Sequence, residues 1–247
     1  MIEVREELLR PLWQRVFISG FGFVVVTFIV LGLIRYLGLA FYGINFVTIG
    51  FLIMWIMPFV FLSAGGRKKI GIKKPESWLW VLISFVIGAV VAGAIYFLGF
   101  VLYGTGPENW GMTVAYEYMA GQDAVFEPVV FAVVTFLSML FSPIGEEFYF
   151  RGIIHEVLGE KLSSYKMAGF WSSFLFAAIH LPHHNIFFTA QSFLTGFVPL
   201  FIWFAFMFIV SYLFIWARVK SGSILGAILC HSGYILGMNL FVYNVLL

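Results

Sequence analysis

Seven apolar stretches dominate this chain, most of them about as long as a bilayer is thick. A helix needs roughly 20 mostly apolar residues to cross a hydrocarbon core. Candidate spans run over 16–34, 41–64, 78–103, 128–158, 165–181, 191–217 and 223–245. An eighth, re-entrant or broken segment fits between 104 and 142. Lipid offers the backbone no hydrogen-bond partners, so runs of this kind must satisfy themselves as helices. The expected architecture is all-α: a polytopic transmembrane helical bundle of seven to eight spans. No repeat, low-complexity tract or linker divides it, so residues 1–247 read as a single membrane-embedded domain.

Composition agrees. The chain is 62% hydrophobic and 11% charged, where a soluble domain sits nearer half and a quarter. A net charge of +2 makes no electrostatic case for a nucleic-acid partner. Cys230 is the single cysteine, so no intrachain disulfide can form. The opening MIEVREELLRPLWQR carries charges of both signs. It reads as an amphipathic segment at the membrane surface rather than a signal peptide, and the apolar run behind it as uncleaved.

Loop charges orient the bundle. Arg67, Lys68, Lys69, Lys73 and Lys74 crowd 66–76, while 104–127 has no Lys or Arg and holds Glu108, Glu117, Asp123 and Glu127. The positive-inside rule puts the cationic loop and the N-terminus in the cytoplasm and the C-terminus outside. The expected location is integral and multi-pass, in the cell membrane if the source is prokaryotic.

Against this background the stretch GEEFYFR, 145–151, is anomalous. An ionised side chain at mid-bilayer costs roughly 2.5–3.5 kcal/mol on insertion scales. Glu147 and Arg151 stand four apart, so they share a helix face and can pair. Glu146 lies about 100° around the helix from Glu147 and is expected to have no salt partner. His155 extends the Glu147–Arg151 stripe by a turn. Pro143 and Gly145 suggest a break capped by Ser142, which is tolerated at depth only beside a cavity. The competing reading leaves these charges solvated at a span end.

Two histidines follow in later spans. His180 ends FAAIH and His231 lies in CHSGY. A helical His is commonly a hydrogen-bonded packing residue, but within a span it is functional by default. At 1.5 Å per residue, Glu146, His180 and His231 lie about 18, 22 and 12 Å from the cytoplasmic ends of their spans. Tilt absorbs such differences, so the three can meet in one layer. A carboxylate and imidazoles in a hydrated pocket can activate water: the carboxylate takes a proton, and the imidazole orients water or shuttles the proton. An oxyanion needs donors, and His231 is the candidate. Neither GxSxG nor HExxH occurs. Two His and one Glu could hold zinc, but the short ligand spacing is missing, so no cofactor is expected and zinc is the less favoured alternative.

The motifs EEFYFR, FAAIH and RVKSGSILGAILCH resemble, in order and spacing, those of the CPBP family of CAAX-type prenyl endopeptidases, bacteriocin-processing proteins and Abi relatives. The resemblance covers about 128–245. It implies an intramembrane endopeptidase of the glutamate type, with Glu146 as the base activating water with His180. Glu147 and Arg151 would support the site, and His231 would line the oxyanion hole. The implied partner is a membrane-anchored peptide or prenylated protein, cleaved near its C-terminus within the lipid bilayer. One position departs: the family often has Asn four residues after the last His, where this chain has Ile235. Asn239 is a further turn away. Two other readings stand beside this one, a proton-coupled transporter and a non-catalytic scaffold or immunity protein of the same fold.

The remaining polar residues read as structural. His183, His184 and Asn185 suit a solvated turn. Trp78, Trp80 and Trp110 suit interfacial anchors, while Trp203 and Trp216 suit packing or the aromatic belt. The 66–76 loop is expected to set topology and touch anionic headgroups.

Overall fold

Apolar periodicity becomes helix along the chain in a computed structural model that describes residues 8–17, 19–42, 44–119, 128–184 and 190–246. The α-helices are α1 (Pro11–Val16), α2 (Gly20–Leu37), α3 (Ile44–Phe61), α4 (Ala64–Lys69), α5 (Trp78–Tyr103) and α6 (Trp110–Met119). They continue as α7 (Pro128–Glu146), α8 (His155–Leu162), α9 (Tyr165–Ile179), α10 (Ala190–Ser221) and α11 (Ile224–Phe241). Wider π turns occupy Gly38–Tyr42, Glu147–Ile154 and Val242–Leu246. Among the described residues the only β pairing is an isolated antiparallel bridge between Leu9 and Leu62.

Serine starts many of these helices. The hydroxyls of Ser19, Ser63, Ser77, Ser164 and Ser223 each accept from a backbone N–H in the first turn of the helix that follows. This satisfies one of the amide groups that a helix start leaves without a partner.

Among the described residues five stretches are long and apolar enough to cross a membrane: Gly20–Phe41, Trp78–Tyr103, Pro128–Leu162, Gly196–Ser221 and Ile224–Val245. Two expected spans are shorter. The apolar part of α3 is Phe46–Phe61. Helix α9 has 15 residues, about 22 Å at the α-helical rise against a core of about 30 Å. It starts at the Ser164 cap, just after Ser163 turns left-handed at φ 51°. It stops before Pro182, which cannot continue a helix with an ordinary hydrogen bond.

The bundle is organised around α11. Lipid tails give helices no hydrophobic reason to associate, so close packing of small residues must do it. Gly233 and Gly237 form a GxxxG pair on α11, and Ser84, Gly88 and Ala92 form the matching stripe on α5. A methyl group at Gly233 would overlap the Phe85 carbonyl, one at Gly237 the Ala89 carbonyl, and one at Gly88 the Cys230 carbonyl. The two backbones are therefore in direct contact, and this contact fixes how α11 is rotated. Val86, Val90, Phe97 and Val101 stay exposed on α5, as a lipid-facing side requires. Gly233→Val is expected to force these helices apart at a cost of about 1–3 kcal/mol. The check is a lowered Tm of the detergent-solubilised protein, with Gly93→Val, where an added methyl meets nothing within 4 Å, as control.

The cationic loop is clamped rather than loose. Ile224 N donates to Gly71 O at 2.9 Å and Glu76 N to Ser221 O at 2.8 Å. The Ser223 hydroxyl donates to Lys73 O at 2.7 Å. Lys69 pairs with Glu160 at 3.2 Å, and Lys68, Lys73 and Lys74 remain exposed.

Trp110 departs from expectation. It is 1% exposed and stacks on Trp203 at 6.2 Å between centroids, with Tyr103 and Phe206 at its edges. Its neighbours, supplied by α5 and α10, place it in the core instead of a membrane-surface belt. Trp78, by contrast, is 55% exposed.

Candidate active site

The expected break near Pro143 does not occur. Helix α7 runs through Pro143 to Glu146 and continues without interruption into the π turns. Proline has no N–H, so the carbonyl four residues back, at Met139, loses its helical donor. The Ser232 hydroxyl, on α11 next to His231, donates to that carbonyl at 2.7 Å. A neighbouring helix thus repairs the ladder that was expected to break. Gly145 allows α3 to approach: a Cβ there would sit 2.8 Å from Phe51 O.

From Glu147 to Ile154 the backbone winds as a π-helix, whose i→i+5 pattern is rare and is found mostly at functional sites. Glu146, Glu147 and Arg151 are all completely buried. This excludes the reading in which they are solvated at a span end.

Glu146 sits at the centre. Its Oε2 lies 3.9 Å from His180 Nε2 and 3.9 Å from His231 Nε2. Its Oε1 lies 2.7 Å from Arg35 Nη1. Glu146 therefore has a salt partner, contrary to expectation. That partner comes from α2, far away in sequence, where helical spacing within one span gives no hint of it. Among the described residues Oε2 itself accepts no hydrogen bond.

The second glutamate belongs to a separate chain of contacts. Arg151 Nη1 lies 3.1 Å from Glu147 Oε1, and His231 Nδ1 lies 2.8 Å from the same oxygen. The Arg151 guanidinium sits 4.0 Å from the Phe176 ring centre and 4.8 Å from that of Phe214. The His231 ring stacks on Phe214 at 4.5 Å. Two arginines and two glutamates thus close to zero net charge in a volume where an unbalanced ion would be costly.

The imidazoles are oriented by their other nitrogens. His180 Nδ1 is 2.6 Å from the Phe176 carbonyl, and a carbonyl can only accept, so Nδ1 carries the proton. His231 Nδ1 faces a carboxylate in the same way. In both rings Nε2 is then the nitrogen turned toward Glu146. The 3.9 Å gaps exceed a hydrogen bond, and a bridging water would suit such a spacing.

Other expected members lie elsewhere. His155 does not extend the Glu147–Arg151 stripe toward the site. It meets Arg218 Nη1 at 3.3 Å, in a cluster where Arg218 also donates to the Arg151 carbonyl and lies 3.7 Å from Glu156. The Tyr165 hydroxyl donates to Glu156 at 2.8 Å. Asn239 donates to Thr135 Oγ1 at 3.3 Å and Ser138 Oγ at 3.2 Å, which ties α11 to α7 about two turns or more before Glu146. The side chains of His183 and His184, and all of Asn185, lie outside the described residues.

Arg35 is the charge at Glu146 that sequence reasoning missed. For Arg35 the signal was present, since an arginine inside a span is functional by default. Ending the first span at Ile34 hid it, whereas the helical stretch runs on to Phe41. Among the described residues no group of three or more His, Cys, Asp or Glu is arranged to hold a metal ion.

Fold and site together define an all-helical membrane protein with a buried carboxylate–imidazole centre. Residues 128–236 match the family described as type II CAAX prenyl endopeptidase, Rce1-like, in keeping with the CPBP resemblance. That family is one of proteases, which are hydrolases, and the likeness holds over the matched residues. The matched stretch covers somewhat less than half of the chain. It includes Glu146, Glu147, Arg151, His180 and His231, and excludes Arg35 and all of α5. No match was found among curated proteins or solved structures.

Proposed function

We propose that the protein is an intramembrane endopeptidase of the glutamate type, acting on a membrane-anchored peptide near its C-terminus, with or without a prenyl group. The observation that carries this reading is Glu146 Oε2, unpartnered among the described residues and 3.9 Å from two imidazole Nε2 atoms. A water there donates one proton to Glu146 Oε2 and the other, as a hydrogen bond, to His180 Nε2. Glu146 accepts its proton as the water oxygen attacks the scissile carbonyl carbon, and the carbonyl π electrons move onto oxygen. Collapse of the tetrahedral intermediate breaks the C–N bond, and the proton held by Glu146 passes to the leaving amine. His231 serves the oxyanion. In this scheme its ring donates from Nε2 to the oxyanion and from Nδ1 to the Glu147 carboxylate. Glu147 and Arg151 hold that ring in place.

No cofactor is required in this scheme. The test is cleavage of a fluorogenic prenylated CAAX-type peptide by purified protein. Activity is expected to survive chelators unchanged, and His180→Ala is expected to lower kcat by about 10²–10⁴-fold. Loss of activity on chelation, restored by zinc, would replace this scheme with metal chemistry. Proteoliposome flux that needs Glu146, with no cleavage of any peptide, would favour the transporter reading.

A further inference from the structure

We infer that Arg35 is a positioning residue for Glu146, so that the site is completed by a helix from outside the family-matched region. This rests on the hydrolytic reading above. A carboxylate with two equivalent oxygens can rotate and offer either one. Arg35 Nη1 holds Oε1 at 2.7 Å, which leaves Oε2 as the oxygen between His180 and His231. The guanidinium also balances the Glu146 charge without using the catalytic oxygen.

The placement of Arg35 is itself built. Tyr149, on the π turns, shares a hydrogen bond of 3.0 Å with the Thr27 hydroxyl on α2 and is within 3.4 Å of Val24 O. These contacts set the register of α2 against the segment that carries Glu146. Arg35 lies two turns beyond Thr27, and helical side chains lean toward the N-terminus of their helix. Its long side chain therefore leans back toward Thr27, and so toward the segment carrying Glu146. The guanidinium also lies 5.8 Å from the Phe51 ring centre on α3, a second contact that limits its swing.

The experiment compares Arg35→Met, Arg35→Lys, Glu146→Gln and the double variant Arg35→Met/Glu146→Gln in the full chain. It reads peptide hydrolysis and Tm in detergent. Arg35→Met is expected to lower kcat at least about 100-fold with KM nearly unchanged, and Arg35→Lys to recover a substantial part of that loss. Arg35→Met is expected to lower Tm by about 10 °C, because it strands a buried carboxylate, and adding Glu146→Gln to return much of that loss. Near-normal kcat in Arg35→Met, a loss confined to KM, or Tm changes that simply add would each overturn the inference. If the wild type hydrolyses nothing, the peptidase reading fails, and the Tm cycle, which needs no activity, still decides whether Arg35 holds Glu146. If Arg35→Met alone does not fold, folding of the double variant supports the pairing, and failure of both overturns it.

Discussion

Glu146→Gln is expected to abolish peptide hydrolysis, with kcat down about 10²–10⁴-fold, the range for removing a general base. The substitution changes almost nothing in volume. The amide carbonyl oxygen can still accept from Arg35, as Oε1 does at 2.7 Å in the native site. What it loses is the capacity at Oε2 to take a proton from water. The amide group turned to the imidazoles, whose Nε2 atoms are 3.9 Å away, can hydrogen-bond a water but cannot take its proton. With no base beside the water, the residual rate is expected to be low even with substrate bound. The check is single-turnover cleavage of the fluorogenic peptide by a variant that elutes as the wild type does on size exclusion. Cleavage at the native rate would remove Glu146 from the chemistry and leave the proposal without its base.

The second large effect concerns stability. Arg151→Met is expected to cost about 3–5 kcal/mol, the range for removing one partner of a buried ion pair. Arg151 and Glu147 have no exposed surface, and their side chains approach to 3.1 Å. Methionine would still fill the slot between Phe176 and Phe214, where the guanidinium now lies 4.0 and 4.8 Å from the ring centres. The loss is therefore one of charge more than of packing. Without the arginine, Glu147 keeps His231 at 2.8 Å as its hydrogen-bond partner among the described residues. At about 2–4 °C per kcal/mol for a chain of this size, Tm is expected to fall by about 6–20 °C. Adding Glu147→Gln is expected to recover part of that fall. An additive or worsened double variant would mean that the pair does not act as a unit.

The two glutamates thus have different tasks although they are adjacent. Glu147 is engaged by Arg151 and by His231, and its role in the proposed scheme is to hold a ring. Glu146 has one oxygen held and one facing both imidazoles. In an ideal α-helix, neighbours point about 100° apart, which would favour burying only one of them. Here both are fully buried at the junction where α-helix becomes π-helix, with helices packed around the whole turn. The local winding and the surrounding packing together are what allow both carboxylates into the interior.

The all-helical membrane architecture was legible from the sequence because burying backbone in lipid admits few solutions, and apolar run length reports it directly. The residues EEFYFR, His180 and His231 were legible for a related reason: charges and imidazoles inside such runs are too costly to be incidental. Spacing of four also suggested the Glu147–Arg151 contact, because it is a contact within one turn. Only the tertiary structure decided what arrives from elsewhere in the chain. It brought Arg35 to Glu146, turned His155 to Arg218, placed Trp110 in the core and mended the Met139 carbonyl with Ser232. Helical periodicity states which face of a helix a residue occupies. Which helix lies against that face is set by the packing of small residues, such as Gly88 against α11, and that is a property of the pair rather than of either segment.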